Sequence, residues 1–225
     1  MIIWFASGNT HKKTELKEIL SSTLPPAMSW DLHTPSDMEI DFSPEETGST
    51  FLQNSLIKAA ALYRLLAEKG ILRAGDSIIA DDSGICVDAL NGRPGIYSAR
   101  YCGAQNESCA NLSDAERNTI LLAELNAVQN NPVRTGRYIC AMVLYYNANR
   151  FFSAQETLEG ELVRTELEAA GKKGFGYDPI FYIPELCRTA AELSTEEKNR
   201  ISHRGKAGKA IAQFLSTQIC NKAHV

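Results

Sequence analysis

Two adjacent carboxylates are the first residues in this sequence that suggest chemistry. Asp81 and Asp82 follow the apolar run at residues 78–80 and precede Ser83 and Gly84. Such a run predicts a buried strand, here one that ends at the two acids. Neighbouring side chains of a strand point to opposite faces, so both carboxylates reach one site only if the backbone turns, which Gly84 permits. We therefore predict that one acid faces a site and the other supports it; the alternative is an ordinary strand end followed by a turn.

A second acidic pair lies ahead of a predicted helix. Glu45 and Glu46 precede residues 50–69, whose apolar side chains recur at helical spacing. Acids at a helix start commonly do no more than complement the helix dipole, but acids on a loop are also the ligands that a hard divalent cation requires. Asn54 and Lys58 lie one turn apart on this helix and can face the same site.

The start of the chain predicts a strand, a loop and a helix that are equipped to bind phosphate. Residues 1–7 predict a buried strand, and a helix is predicted from about residue 10. The loop offers backbone N–H groups at a helix start, a hydroxyl, an amide and a lysine, which together suit phosphate oxygens. Its residues are Ser7, Gly8, Asn9, Thr10, His11 and Lys12. The spacing of a Walker A loop is absent, and a plain capped helix start is the alternative interpretation.

A glycine-rich segment at residues 170–179 could contact a planar ligand. It contains Phe175, Tyr177 and Asp178, which suit a loop that closes over a ring and hydrogen-bonds to its edge. The third glycine of a dinucleotide-binding fingerprint is missing, which argues against a Rossmann site.

The last predicted helix begins at Ser202 and carries cations in its first turn. His203 and Arg204 lie where the helix dipole disfavours positive charge. A bound anion or electron-rich ligand would offset that cost, so we predict a ligand contact here. The alternative is that exposed charges tolerate the penalty.

The composition is that of a folded protein without an evident nucleic-acid or membrane surface. The 225 residues are 44% hydrophobic, which suits one large α/β domain or two small lobes that share a core. The formal net charge of −4 disfavours a protein that coats long nucleic acid. The apolar N-terminus lacks a basic region and is too short for a signal sequence or a membrane span, so we expect a cytoplasmic protein.

The remaining patterns predict an alternation of helices and strands. Strands are expected at residues 137–146, 150–157 and 158–164, and capping boxes at Ser113 and Ser194 predict helix starts. The six cysteines include no Cys-x-x-Cys pair, which predicts reduced thiols and neither a zinc knuckle nor a disulfide framework.

Six segments coincide, in order, with the motifs of one known family. They are Ser7-x-Asn9-x-x-Lys12-x-x-Glu15, Glu45-Glu46-Thr47-Gly48-x-Thr50-Phe51 with Asn54 and Lys58, Ala80-Asp81-Asp82-Ser83-Gly84, Gly92-x-Pro94-Gly95-Ile96-Tyr97-Ser98-Ala99-Arg100, Gly174-Phe175-Gly176-Tyr177-Asp178-Pro179, and Ser202-His203-Arg204-Gly205. On these motifs the sequence resembles the inosine triphosphate pyrophosphatases, also called dITP/XTP pyrophosphatases, and looks most like their bacterial branch. It departs from the family pattern at His11, where small residues are usual, and in the connections around residues 73–76 and 147–155.

The resemblance implies a fold and an assembly. It implies an α/β protein with an elongated mixed central β-sheet flanked by helices, forming two lobes around a nucleotide-binding cleft. Residues 1–225 would be a single nucleoside-triphosphate pyrophosphatase domain. Family members are commonly homodimers, so a homodimer is expected.

The resemblance also implies a reaction and assigns residues to it. The reaction is Mg²⁺-dependent hydrolysis of ITP, dITP and XTP to the monophosphate and pyrophosphate, which cleanses the nucleotide pool. Glu46 and Asp82 would bind Mg²⁺, and Asp82 would accept the proton of the attacking water. Asp81 would be either an orienting residue or a further ligand. The residues implied for the triphosphate are Ser7, Gly8, Asn9, Thr10, His11, Lys12 and Lys58, and those implied for the nucleoside are Ser83, Phe175, Gly176, Tyr177, Asp178, Lys198, His203 and Arg204.

Two other functions fit the same motifs. One is a pyrophosphatase for other modified nucleotides, including pyrimidines. The other is a nucleotide-binding module without catalysis, against which the presence of both Glu46 and Asp82 argues.

Overall fold

The structure, a computed structural model, describes residues 1–103, 112–129, 133–147, 149–171 and 173–222. Cys109 and the side chain of Cys220 lie outside this description. The other four cysteines, Cys86, Cys102, Cys140 and Cys187, are free thiols, as expected.

Seven strands in the described part of the chain form one sheet, in the order β2-β1-β3-β4-β5-β6-β7. Strand β1 runs parallel to β2 and β3, whereas β6 is antiparallel to β5 and β7. The sheet is therefore mixed, and the predicted α/β class is confirmed. The strands are β1 Ile2–Phe5, β2 Asp31–His33, β3 Ser77–Val87, β4 Thr135–Asn147, β5 Arg150–Leu162, β6 Phe181–Ile183 and β7 Arg188–Thr189.

The α-helices begin close to the predicted residues. They are α1 Thr10–Thr23, α2 Phe51–Glu68, α3 Asp114–Ala127, α4 Thr195–Ile201 and α5 His203–Lys222. Side chains of Ser113 and Ser194 accept hydrogen bonds from the third backbone amide of α3 and α4, which confirms both predicted capping boxes. Within the described residues, no helix is long and apolar enough to cross a membrane.

The chain divides into two compact units. The first comprises Met1–Asp82, Cys140–Glu156 and His203–Val225, and the second comprises Ser83–Ile139 and Thr157–Ser202. Strands β3, β4 and β5 each contribute residues to both units.

The first unit has two apolar cores. One contains Ile79 together with Leu16 and Leu20 of α1 and Ile211 of α5. The other contains Ile78 and Ala80 together with Ala59, Leu62 and Leu66 of α2. Successive residues of β3 therefore point alternately into the α1/α5 core and the α2 core, as strand geometry requires.

The second unit has one apolar core. It joins the end of β3 to α3 and to the strands β5 and β6, through buried side chains such as Ile85, Leu121, Leu162 and Phe181. This core supports the glycine-rich segment, because Tyr177 belongs to it.

Two expectations about the strands were wrong. Strand β3 does not end at the acids: it continues to Val87, so Asp81 and Asp82 lie in its middle. Gly84 makes no turn there. It is needed because a β-carbon at this position would overlap Ser98 and the carbonyl of Gly95. The strands predicted at residues 150–157 and 158–164 are a single strand, β5.

Candidate active site

The two aspartates of β3 face opposite sides of the sheet. Alternation places Asp81 with Ile79 on the side of α1 and α5, and Asp82 with Ile78 and Ala80 on the side of α2. Because no turn follows, the two carboxylates occupy different environments. The two acids therefore lie on opposite faces, as strand alternation predicts, and their division into two roles stays a prediction.

Asp81 is fully buried within a network of charges. Its side chain is 0% exposed and contacts Lys12 Nζ at 3.2 Å and Arg204 Nε at 3.0 Å. Arg204 also donates through Nη1 to Glu15 at 2.5 Å. Burial alone would raise the pKa of Asp81, but the positive charges of Lys12 and Arg204 outweigh it and hold that pKa well below its usual range. Asp81 is therefore an anion that forms ion pairs with two cations.

Burial in the same network shifts the pKa values of Lys12 and Cys140. Burial lowers the pKa of Lys12 despite the attraction of Asp81, so the lysine gains from a further anion. The Cys140 sulfur lies 3.9 Å from Asp81 Oδ2, and burial next to that carboxylate raises the pKa of its thiol to about 12. Cys140 is thus an inert core thiol.

Asp82 has a different set of partners. Asn54 Nδ2 donates to Oδ2 at 3.1 Å, and Lys58 Nζ lies 3.5 Å from Oδ1. Lys58 is closer to Glu46, at 2.8 Å. Burial raises the pKa of Asp82, and the nearby charge of Glu46 adds to the effect while Lys58 opposes it. Two carboxylates thus share one ammonium group.

Helix α2 fixes the positions of these groups. The fully buried Asn54 bonds to Asp82 through its nitrogen and accepts from Gly48 N–H through Oδ1 at 2.8 Å, which ties the loop that carries Glu46 to the strand. Ser55 donates to the carbonyls of Ala80 and of residue 141, at 3.0 Å each. Asn54 and Lys58 therefore face one site, as their spacing predicted.

The carboxylate pair suits a magnesium ion better than a closed metal cage. Across the described residues, no group of three or more His, Cys, Asp or Glu side chains converges on one point. Mg²⁺ is commonly held by one or two carboxylates together with water and substrate phosphates. Glu46 and Asp82 already flank a cation, the ammonium of Lys58, at 2.8 and 3.5 Å. Oxygen ligands of this number and charge fit such an ion.

The loop before α1 is only partly available for phosphate. Asn9 caps the helix: its Oδ1 accepts from the backbone N–H groups of His11 at 2.9 Å and Lys12 at 3.2 Å. Ser7 Oγ accepts from Asn9 N–H at 3.2 Å. Asn9 therefore caps the helix through Oδ1, and its contact with phosphate stays a prediction. Lys12 is the charged group that this loop contributes next to β3.

The second unit contains four predicted nucleoside residues with described contacts: Phe175, Tyr177, Asp178 and Lys198. The carboxylate of Asp178 accepts from Lys198 Nζ at 2.7 Å, from Phe175 N–H at 2.9 Å and from Tyr138 O–H at 3.2 Å. Lys198 Nζ also lies 5.0 Å from the centre of the Phe175 ring. Tyr177 is buried and donates to the carbonyl of Ser98 at 2.8 Å. The aromatic ring of Phe175 therefore lies next to the ion pair of Lys198 and Asp178.

The predicted site residues fall into two groups by unit. Lys12, Glu46, Lys58 and Asp82 surround the middle of β3 in the first unit, where His203 and Arg204 are also buried at the start of α5. The residues Phe175, Gly176, Tyr177, Asp178 and Lys198 cluster in the second unit, which also contains the partly exposed Ser83.

Arg204, one of the cations predicted at the start of α5, pairs with anions of the protein itself. The anions that offset the cations at the start of α5 come from the protein itself, because Arg204 pairs with Glu15 and Asp81. Sequence reasoning assigned no role to Glu15. Its spacing of three residues from Lys12 on α1, which places both on one helix face, was the available signal.

Fold and site together define a class of protein. It is a mixed α/β protein in which a helix-start lysine and a lysine-bridged pair of carboxylates flank a strand, an arrangement suited to a polyphosphate with a divalent cation. The comparison with known sequences makes this specific. A model of the Ham1 family matches residues 3–214, and the chain belongs to this family.

Similar proteins cover almost the whole chain. A dITP/XTP pyrophosphatase of Treponema denticola is 44% identical over 218 residues, which is 96% of this chain and 98% of that protein. A dITP/XTP pyrophosphatase of Leptospira biflexa is 41% identical over 95% of this chain and 96% of its own length. Among solved structures, a HAM1 protein from Coxiella burnetii superposes with a TM-score of 0.77 at 36% identity and covers 96% of this chain and 99% of its own.

Proposed function

We propose that this chain hydrolyses ITP, dITP and XTP to the nucleoside monophosphate and pyrophosphate, and so removes purines that should not enter nucleic acid. The observation that carries the proposal is the Asp82–Lys58–Glu46 group, with 3.5 and 2.8 Å between the lysine nitrogen and the two carboxylates. The names of relatives that are about 40% identical support the choice of substrate.

Phosphate binding is assigned to the first unit. Lys12 and Lys58 supply the positive charge, and the N-terminal residues of α1 supply hydroxyl and backbone groups. The lowered pKa of Lys12 reflects burial, and an approaching phosphate would restore the favourable surroundings of the ammonium ion. Ser7, Gly8, Asn9, Thr10 and His11 complete the proposed triphosphate contacts.

Proton transfer is assigned to Asp82. In the reaction a water oxygen attacks the α-phosphorus, the bond from that phosphorus to the bridging oxygen breaks, and pyrophosphate leaves. Asp82 accepts the proton that the water loses. Asn54 holds one of its oxygens at 3.1 Å and so orients the carboxylate.

Magnesium is proposed as the cofactor, with Glu46 and Asp82 as its protein ligands. When bound, the ion would neutralise charge on the phosphate oxygens. Asp81 is not assigned to the metal, because both of its oxygens are engaged by buried cations and it points to the other face of β3. We assign it instead to positioning Lys12.

Recognition of the nucleoside is assigned to the residues around Asp178 in the second unit, together with Ser83, His203 and Arg204. Phe175 offers a ring face for stacking. Groups that donate to a 6-oxo oxygen would be left unpaired against the 6-amino group of adenine, a mismatch that costs several kcal/mol. Guanine also has a 6-oxo group, so its rejection is assigned to recognition of the 2-position.

The proposal includes an assembly and a setting. We propose that residues 1–225 act as one domain, that the chain forms a homodimer, and that it works in the cytoplasm. Sedimentation equilibrium of the purified protein tests the dimer, which predicts twice the chain mass of 24.7 kDa.

The direct test is pyrophosphate release from the purified protein with Mg²⁺. ITP, XTP, dITP, ATP, GTP and dUTP are compared at equal concentration, with and without EDTA. We expect turnover of ITP, dITP and XTP far above that of ATP and GTP, and its loss with EDTA. Turnover of dUTP or of all six alike would point to a pyrophosphatase of other specificity, and no turnover would point to a binding module.

A further inference from the structure

Both backbone polar groups of Gly176 are bound by side chains of α3. Asp114 Oδ2 accepts from Gly176 N–H at 2.6 Å, and Asn118 Nδ2 donates to the Gly176 carbonyl at 3.3 Å. Asp114 and Asn118 are four residues apart and so lie one above the other on the helix surface. The first turn of α3 therefore clamps one residue of the glycine-rich segment.

This clamp restrains the backbone on both sides of Gly176. The N–H of Gly176 belongs to the peptide group shared with Phe175, and its carbonyl belongs to the peptide group shared with Tyr177. Holding both groups fixes the peptide planes on either side. Gly176 has a φ of +65°, which favours glycine, so the chain bends here in a defined direction. The backbone that carries Phe175 is therefore restrained on the side of Gly176.

The clamp is itself held in place. Arg117 Nη2 donates to Asp114 Oδ1 at 2.6 Å, and Arg117 Nη1 donates to the carbonyl of Leu112 at 2.5 Å. One oxygen of Asp114 therefore pairs with Arg117 while the other accepts from Gly176. The carboxylate is locked in one orientation, although its side chain is 46% exposed.

The residues on either side of Gly176 have hydrogen bonds of their own. Phe175 N–H donates to Asp178, and Tyr177 O–H donates to Ser98. These bonds hold the residues that flank Gly176, and the α3 clamp holds Gly176 itself. The segment is thus fixed from two sides before any ligand binds.

We propose that Asp114, assisted by Asn118, is a positioning residue for nucleobase binding, because it holds Gly176 and thereby sets the orientation of the Phe175 ring. The inference rests on the proposed function of the Phe175–Asp178 segment, and none of the six sequence motifs contains Asp114 or Asn118. The competing explanation is purely structural: an acid in the first turn of a helix stabilises the helix dipole.

Matched variants separate the two explanations. Asp114→Ala removes the bond to Gly176 and one acid of the first turn. Glu116→Ala removes another acid of the same turn, one that bonds to Ser113 in the capping box. Asp114→Asn loses the charge but keeps an oxygen that can accept from Gly176 N–H.

Steady-state kinetics with ITP give the first readout. We expect Asp114→Ala to raise KM about tenfold with kcat within about twofold, since one charge-assisted hydrogen bond that orders the binding segment is lost. Asp114→Asn should restore most of the affinity, and Glu116→Ala should leave KM unchanged. An equal KM for Asp114→Ala and wild type, or an equal rise in Glu116→Ala, would overturn the inference.

Two further measurements do not depend on turnover. Calorimetric titration with inosine monophosphate should show about tenfold weaker binding to Asp114→Ala than to wild type. Hydrogen–deuterium exchange of the unliganded protein should be faster at residues 174–178 in Asp114→Ala but not in Glu116→Ala. If the wild type binds inosine monophosphate but does not hydrolyse ITP, the proposed function fails while the binding ratio still decides the inference. Unchanged exchange and unchanged binding in Asp114→Ala would reject it.

Discussion

Asp81 and Asp82 are neighbours of the same chemical type, yet their surroundings shift their pKa values in opposite directions. Asp81 is enclosed by two cations, Lys12 and Arg204, and its pKa is held low. Asp82 shares one ammonium group with Glu46, and burial raises its pKa. The strand alone produces the separation, since successive side chains enter different halves of the unit. The comparison teaches that adjacent carboxylates can divide into a fixed structural anion and a group free to exchange a proton.

The largest expected effect concerns catalysis at Asp82. In Asp82→Asn the amide can keep the hydrogen bond to Asn54 but cannot accept a proton, so we expect kcat to fall by about 10³-fold, within the range for loss of a general base. ITP affinity, measured by calorimetry, should be retained. Turnover equal to that of the wild type would remove Asp82 from the catalytic role.

The corresponding change at Asp81 should damage stability. Asp81→Asn leaves Lys12 and Arg204 as buried cations without their shared anion, and we expect a loss of about 3–5 kcal/mol in the free energy of unfolding at pH 7. Asp82→Asn should cost far less. Urea denaturation followed by circular dichroism measures both variants.

A surface pair supplies the control for Asp81. Asp37 pairs with Lys13 at 2.6 Å and accepts from Thr34 N–H at 2.6 Å at a partly exposed position, and Asp37→Asn should cost no more than about 2 kcal/mol. If Asp81→Asn is no more damaging than Asp37→Asn, the buried network does not stabilise the fold.

The stability difference at Asp81 should also depend on pH. Its pKa in the folded protein is lower than in the unfolded chain, so the stabilisation is fully present above about pH 4 and is lost as the pH falls through the folded pKa. The difference between wild type and Asp81→Asn in urea denaturation should therefore shrink on acidification. A difference that grows towards low pH would contradict the assigned shift.

A smaller effect on activity is expected when the acids on the loop before α2, Glu45 and Glu46, are substituted. Glu46→Gln removes one proposed metal ligand and should raise the Mg²⁺ concentration for half-maximal turnover by at least about tenfold. Glu45→Gln, at the exposed neighbouring position, should leave that concentration unchanged. Equal responses of the two variants would show that Glu46 does not bind the ion.

The smallest effect is a pair of titration shifts that compares the two aspartates directly. In metal-free protein, carboxyl carbon NMR should show Asp82 titrating above the ordinary aspartate pKa of about 3.9 and Asp81 titrating below it. As the pH falls, Asp82 therefore takes up its proton first. The spectra of the two Asn variants assign the signals, and the reverse order would refute the comparison.

Much of the local structure followed from the sequence. Capping chemistry and helical spacing are local properties, so the sequence predicted the starts of α1, α3 and α4. It also predicted the buried apolar run before Asp81 and the placement of Asn54 and Lys58 on one face of α2. The motifs also identified the family, which the comparisons confirmed.

Other features depended on contacts that no local pattern encodes. The strand through Asp81 continues to Val87, and its later residues, such as Ile85, pack against residues far along the chain. Gly84 is required because Ser98 lies too close for a β-carbon at that position. Asn9 was predicted as a phosphate contact and is also the helix cap.

The sequence by itself determined the element types, the supply of acids, lysines and aromatic rings, and the family to which the chain belongs. The tertiary structure alone decided which acid meets which cation: Arg204, 123 residues beyond Asp81, turns that carboxylate into a fixed anion, and Asp114, 62 residues before Gly176, clamps the glycine-rich segment. The physical reason is that charge and hydrogen-bond energies fall off with distance in space. Distance along the chain does not limit them.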